Sequence, residues 1–309
     1  MPLRTVCLVL LMLLPSLVLQ ARPQPGPGTR HDQVQTDDGQ TLAVWSRVPA
    51  QPRGTILLVH GRTWSSRPNF DLQVPGEPAD AHSVLAALAR AGYAAYALDL
   101  RGYGASPRDR SGWDTPERAV ADVRQVLAWV AARHPQLPPP ALLGYSNGAR
   151  IALLVAQTAP RSLSALVLYG FPDDVDAALK IPSPVGPPPR ERTTAEAAGS
   201  DFVTDGAYPR AVRDAYIAQA LAADPVRSDW RAPEQFAFHP ERVVGLPVLL
   251  IRGVGDPLST QQDNAHLYAR LGAADRSWVT LPRADHVAHV EDSQAAWVHA
   301  IVSFLDRPR

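Results

Sequence analysis

The chain has 309 residues, and its 30 Lys plus Arg balance 30 Asp plus Glu to a formal net charge of zero. Apolar residues make up 46% and charged residues 19%, an ordinary globular composition with length for one large α/β domain carrying an insertion. The balanced charge, with Lys180 as the sole lysine, leaves no electrostatic footprint for nucleic acid and excludes a nucleic-acid partner from the reading.

The first residues read as a processing segment. Arg4 supplies one charge, and Val6 to Leu19 is apolar apart from Pro15 and Ser16. Gln20-Ala21 then offers a small residue at a cleavage point. This pattern predicts a signal peptide over residues 1–21 and a secreted or periplasmic protein. The alternative is a membrane anchor, but the run is shorter than the ~20 residues of a spanning helix and Pro15 breaks it, so no stable membrane span is expected. Cys7 is the only cysteine, so the mature chain would carry neither thiol nor disulfide, which suits an oxidising compartment. Residues 22–30 are rich in Pro and Gly and read as a linker to a domain over 31–309.

A hairpin follows, with strands near Asp32–Gln35 and Thr41–Val48 and Asp38-Gly39 as the turn. Thr55–Val59 is a short apolar run that reads as a buried strand. Helical spacing predicts a helix over Ala79–Ala91, and Ala94–Leu100 reads as another buried strand. Pro116–His134 is a predicted helix with Val120, Val123, Val126, Leu127 and Val130 on one face. A strand at Ala141–Gly144 leads into a helix from Asn147 to Ala159, and Leu163–Tyr169 and Val248–Gly253 are strands. A helix at His266–Leu271, a strand at Ser277–Leu281 and a helix at Gln294–Leu305 complete the order. Alternating buried strands and helices predict an α/β fold, a mostly parallel central sheet with helices on both faces.

Gly144-Tyr145-Ser146-Asn147-Gly148 sits where a buried strand ends and a helix begins. A serine there occupies a tight turn that holds its hydroxyl clear of the backbone, and the flanking glycines relieve crowding. A hydroxyl needs a base, and the base an orienter. Asp256 follows the strand ending at Gly253, and His286 follows the strand ending at Leu281, which gives the order Ser, Asp, His expected for this elbow. All three lie just beyond C-terminal strand ends, where open α/β sheets place their sites. Asp173 and Asp174 are rivals to Asp256. His60 reads as a loop-fixing residue, Asp99 and Arg101 as ordering the loop after the fourth strand, and Asp285 as a surface charge. His289 ranks below His286 as the base.

With the elbow, Asp256 and His286, the segments His60-Gly61 and Asp99-Leu100-Arg101-Gly102-Tyr103-Gly104-Ala105-Ser106 make the chain resemble the α/β-hydrolase fold superfamily, in particular its lid-bearing serine esterases and lipases. Serine at the elbow argues against the aspartate-dependent epoxide hydrolases and dehalogenases. The resemblance implies an oxyanion hole from the backbone N–H groups of Asn147 and Arg62. The Arg62 side chain departs from the smaller or apolar residue common there; it either meets an acidic group of the substrate or points to solvent.

The segment from Phe171 to Val244 fits the family's cap position, with a predicted helix at Pro209–Leu221. Its Phe202, Tyr208, Tyr216, Trp230, Phe236 and Phe238 suit the lining of an apolar pocket, or else hold the cap onto the core. The leading expectation is hydrolysis of a small-molecule carboxylic ester through Ser146, Asp256 and His286 and an acyl-enzyme, with no cofactor and no metal. The alternatives are acyl transfer to an alcohol, amine or peroxide on the same fold, and a non-catalytic binding protein of this fold.

Overall fold

The computed structural model describes residues 28–177, 186–231 and 237–308. The signal-peptide segment, most of the linker, Lys180 and Phe236 lie outside the described residues. The chain order is β1 Arg30–Gln35, β2 Thr41–Arg47, β3 Gly54–Val59, α1 Ser66–Phe70, α2 Val84–Arg90, β4 Tyr93–Leu98, β5 Trp113–Asp114 and α3 Pro116–Arg133. It continues with β6 Ala141–Tyr145, α4 Asn147–Thr158, β7 Leu166–Tyr169, α5 Ala195–Gly199, α6 Arg210–Ala223, β8 Asp229–Trp230, β9 Val248–Gly253, α7 Gln261–Arg270, β10 Arg276–Leu281 and α8 Gln294–Leu305. Arg30, placed in the linker by composition, is instead the first residue of β1.

Eight strands form one sheet in the order β1-β2-β4-β3-β6-β7-β9-β10. The β1/β2 hairpin is antiparallel, as is β2 against β4, and every pairing from β4 through β10 is parallel. The central strands β3, β4, β6, β7 and β9 are almost wholly buried, which is why their sequences are unbroken apolar runs. Alternate side chains feed two cores. Ile56 and Leu58 join Leu85, Leu88, Trp297 and Ile301 under α2 and α8. Leu57 and Val59 join Val123, Val126, Ile151 and Leu267 under α3, α4 and α7. Each such Leu, Ile or Val contributes about 1.5–3 kcal/mol on burial.

Caps explain where helices depart from the sequence expectation. The helix expected from Ala79 starts only at Val84, because His82 pairs with Leu72 in an isolated bridge and the Ser83 hydroxyl caps Ala86 N–H at 3.1 Å. The helix expected from His266 starts earlier, at Gln261, because Thr260 Oγ1 accepts Asp263 N–H at 3.1 Å. Thr115 caps α3 in the same way, with Pro116 in its first turn.

From β3 the chain passes to β4 on one side, and β6 lies on the other. The loops after β3 and β6 therefore diverge and leave a crevice at the C-terminal edge of the sheet. Residues 171–244 break the strand–helix rhythm between β7 and β9. The described residues among them contribute α5, α6 and β8 but no strand to the main sheet; β8 pairs in parallel with β5. Asp224, at the end of α6, accepts the N–H groups of Ser65 at 2.8 Å and Gly104 at 2.7 Å, which fastens this insertion to the loops after β3 and β4. No helix among the described residues is long and apolar enough to cross a membrane.

Candidate active site

The apolar strand β6 delivers Ser146 into a turn with φ 53° and ψ −117°, a left-handed φ that a non-glycine residue rarely adopts. Neighbouring structure enforces it. Ser146 N–H donates to Tyr169 O at 2.9 Å, and the N–H groups of Ala149 and Arg150 donate back to Ser146 O. The two glycines of the motif are steric necessities. A Cβ on Gly144 would overlap the Gly148 carbonyl, and one on Gly148 would overlap the Val59 carbonyl. Helix α4 therefore starts hard against β3 and β6, with its free N–H groups at Ser146.

β9 and β10 are adjacent and parallel, so the loops that follow them run side by side. Val254 N–H donates to Leu281 O and Gly255 N–H to Ala284 O, both at 2.9 Å. This lacing brings Asp256 Oδ2 to 2.8 Å from His286 Nδ1. Asp256 Oδ1 accepts the N–H groups of Leu258 at 2.9 Å and Ser259 at 3.0 Å, so the carboxylate is held at both oxygens. Burial opposes charge on Asp256, but the hydrogen bond and charge of His286 outweigh it and hold the carboxyl below its usual range. Burial likewise opposes charge on His286, and Asp256 outweighs it, so the imidazole is raised. With Nδ1–H committed to Asp256, Nε2 is buried and has no hydrogen-bond partner among the described residues. Asp173 is engaged elsewhere, in a two-pronged pair with Arg150 at 2.6 Å, and Asp174 accepts from His266 at 2.9 Å.

A family model described as serine aminopeptidase, S33, matches residues 50–293, well over half of the chain. The chain belongs to this α/β-hydrolase family. Solved structures share its fold at low identity. A hydrolase from Pseudomonas aeruginosa PA01 is 20% identical, with a TM-score of 0.59 over 90% of this chain and 99% of that one. An esterase of Pyrococcus furiosus is 18% identical, with a TM-score of 0.59 over 90% and 91%. A thioesterase domain from the curacin biosynthetic pathway is 18% identical, with a TM-score of 0.59 over 90% and 99%. No curated protein matches the chain.

In this α/β-hydrolase a cavity of about 450 Å³ opens at the C-terminal sheet edge, and Ser146 and His286 both line it. Gly61, Arg62, Tyr145 and Leu258 line it as well. Among the described residues the backbone N–H groups of Arg62 and Asn147 donate no hydrogen bond within the protein. The Arg62 side chain is exposed yet forms part of the cavity wall.

Two expectations are overturned. Asp285 is not a surface charge: it is fully buried and accepts the N–H groups of Val203 and Thr204 and the Thr204 hydroxyl. It thus ties the insertion to the residue beside His286. The described aromatics of the insertion do not line the cavity. Tyr208 and Tyr216 each pack edge to face on Phe202, Phe238 packs on Phe171, and Trp230 donates to the Tyr103 hydroxyl at 2.6 Å. The insertion's wall is polar instead: Glu191, Arg192, Thr193, Thr194, Asp201 and Arg227 among others.

His60 fixes its loop, as expected. Its Nδ1 meets Gly61 O at 2.7 Å and its Nε2 accepts Leu100 N–H at 3.1 Å, and burial lowers its pKa. Asp99 accepts from Trp45, Ser66 and Ala105, and Arg101 pairs with Asp122 and Asp38, so both order loops. His289 is buried among Tyr145, Phe70 and Trp297, and burial pushes its pKa down to about 3. Sequence reasoning missed Gly170. At φ +59° it lies against His286, where a Cβ would stand 3.1 Å from Nδ1. The available signal was a glycine directly after a strand at the edge where the site's loops gather.

Proposed function

We propose that the chain is an exported serine hydrolase that cleaves carboxylic esters through an acyl-enzyme. Ser146 Oγ attacks the ester carbonyl while His286 Nε2 takes its proton. The oxyanion forms against the N–H groups of Asn147 and Arg62, each contributing on the order of 3 kcal/mol to the transition state. His286 gives the proton to the departing alkoxide as the acyl–oxygen bond breaks. Water, losing a proton to His286, then attacks the acyl-enzyme, and the acid leaves as the proton returns to Ser146. Asp256 holds the imidazole in the Nδ1–H tautomer throughout.

One observation carries this reading: His286 is clamped at Nδ1 by Asp256 and has no partner at Nε2 among the described residues, beside the cavity that it and Ser146 line. Export near Ala21 is supported by the charged–apolar–small pattern of the first residues. The test is a panel of 4-nitrophenyl esters of varied acyl chain with the mature protein, run with and without a competing alcohol. Equal release of acid and nitrophenol supports hydrolysis. Accumulation of the transferred ester in place of acid would show an acyltransferase, and a folded protein that turns over no ester would contradict the reading.

A further inference from the structure

We infer that the substrate carries an anionic oxygen group, a carboxylate or a phosphate, received by the guanidinium groups of Arg62, Arg192 and Arg227 while Ser146 faces the scissile carbonyl. This rests on the reading of Ser146 as nucleophile and adds a substrate class to it.

Three arginines, Arg62, Arg192 and Arg227, line the cavity that Ser146 and His286 line. Backbone pairing brings the segments that carry Arg192 and Arg227 together. Arg227 N–H donates to Glu191 O at 2.8 Å, Thr193 N–H donates to Pro225 O at 3.3 Å, and Arg192 bridges Val226 between them. Among the described residues neither Arg62 nor Arg192 forms an ion pair. The pair of Arg227 with Glu191 is long, 3.7 Å, with both side chains well exposed, so solvent screens it and a ligand can displace it. Desolvation by the cavity wall chiefly disfavours the positive form of Arg62, and the cations Arg227 and Arg150 add to it against the opposing pull of Tyr103 and Asp229. Arg150 is neutralised by Asp173, whereas Arg62 has no such partner. Cations gathered around a concave space with their own counter-ions missing or weak are the chemistry of an anion site, and the planar guanidinium fork matches a carboxylate or phosphate.

The acidic wall residues do not cancel this pole. Glu191 answers Arg227 only through that long, screened pair, and burial raises the Asp201 carboxyl, which also feels the charges of His286 and Asp256. Arg62 also begins one bond from the N–H proposed to meet the oxyanion. Its side chain is therefore anchored beside the reacting carbonyl, in the wall of the cavity that the ester must enter.

The experiment uses the mature protein and four 4-nitrophenyl esters of one chain length. The chains end in a carboxylate, a carboxamide of the same shape, an ammonium or a phosphate, and have six-carbon acids so that self-cleavage through a small cyclic anhydride does not intrude. The expected result is a kcat/KM at least tenfold higher for an anion-ended ester than for the carboxamide. That ratio should shrink as salt rises, since screening weakens the contact, and should fall toward one in the Arg192→Gln, Arg227→Gln double variant. The carboxylate ester leading assigns a dicarboxylic monoester, and the phosphate ester leading assigns a phosphorylated acyl or alcohol group. Preference for the carboxamide or the ammonium ester, or an anion preference untouched by both salt and the double variant, overturns the inference. If these esters are cleaved and Ser146 still reacts with a fluorophosphonate, such a failure leaves the hydrolase reading standing. If none is cleaved and Ser146 is inert, both fail.

Discussion

Asp285 Oδ2 accepts the backbone N–H of Val203 at 2.7 Å, across 82 residues of sequence. The residue beside the proposed base thereby anchors the insertion that forms the far wall of the cavity. Asp285→Ala removes the acceptor of two partly buried N–H groups, and hydrogen bonds to a charged group are worth about 1.5–3 kcal/mol where buried and less here. The expected outcome is a melting temperature lowered by several degrees, with earlier proteolytic nicking within residues 186–231. Differential scanning fluorimetry and limited proteolysis check this. An unchanged melting temperature and digestion pattern would show that the contact holds nothing.

Gly170→Ala should injure activity as well as stability. The backbone there has φ +59°, which costs a side chain roughly 1–2 kcal/mol. The new methyl would also stand 3.0 Å from His286 Cε1 and push the ring off its line to Ser146. The ring must give by a few tenths of an ångström, and since a shift of about 1 Å costs about 10²-fold in rate, a loss of up to about tenfold is expected. Ester kinetics beside a thermal melt check it, and full activity in the variant would mean the imidazole has room to spare.

The sequence carried the sheet and the site's backbone because both are written locally. β3, β4, β6 and β9 are apolar runs, and Ser146, Asp256 and His286 each sit just past the end of one strand. The rest depends on partners far apart in sequence. Asp285 reads as a surface charge until Val203 and Thr204 are brought to it. The aromatics of the insertion look like a pocket lining, but Tyr208 and Tyr216 each pack on Phe202. The polar wall from Glu191 to Asp201 has no periodicity that marks it, since only α5 within it is regular. Its register comes from the Arg192–Val226 bridge, a contact no local pattern announces.

The pH profile should report the pair formed by Asp256 and His286. The base must be neutral, and Asp256 raises the imidazole above its ordinary 6.5 despite burial. Activity in kcat/KM should therefore fall as pH drops, with a midpoint above 6.5. Asp256→Asn removes the charge that raises it, so the midpoint should move down while turnover falls on the order of 10⁴. The comparison is the double variant Asp173→Asn, Asp174→Asn, whose targets pair with Arg150 and His266. Orders of magnitude lost in the double variant, with Asp256→Asn nearly active, would reverse the assignment.

The central claim is that Ser146 is the nucleophile, and covalent labelling tests it most directly. The mature protein is treated with a small fluorophosphonate and its intact mass measured, followed by peptide mapping, alongside Ser146→Ala checked for folding. The account predicts one adduct, on Ser146, and none in the variant. A folded protein that takes no label, or a Ser146→Ala variant that is labelled as fast as the original, would contradict it.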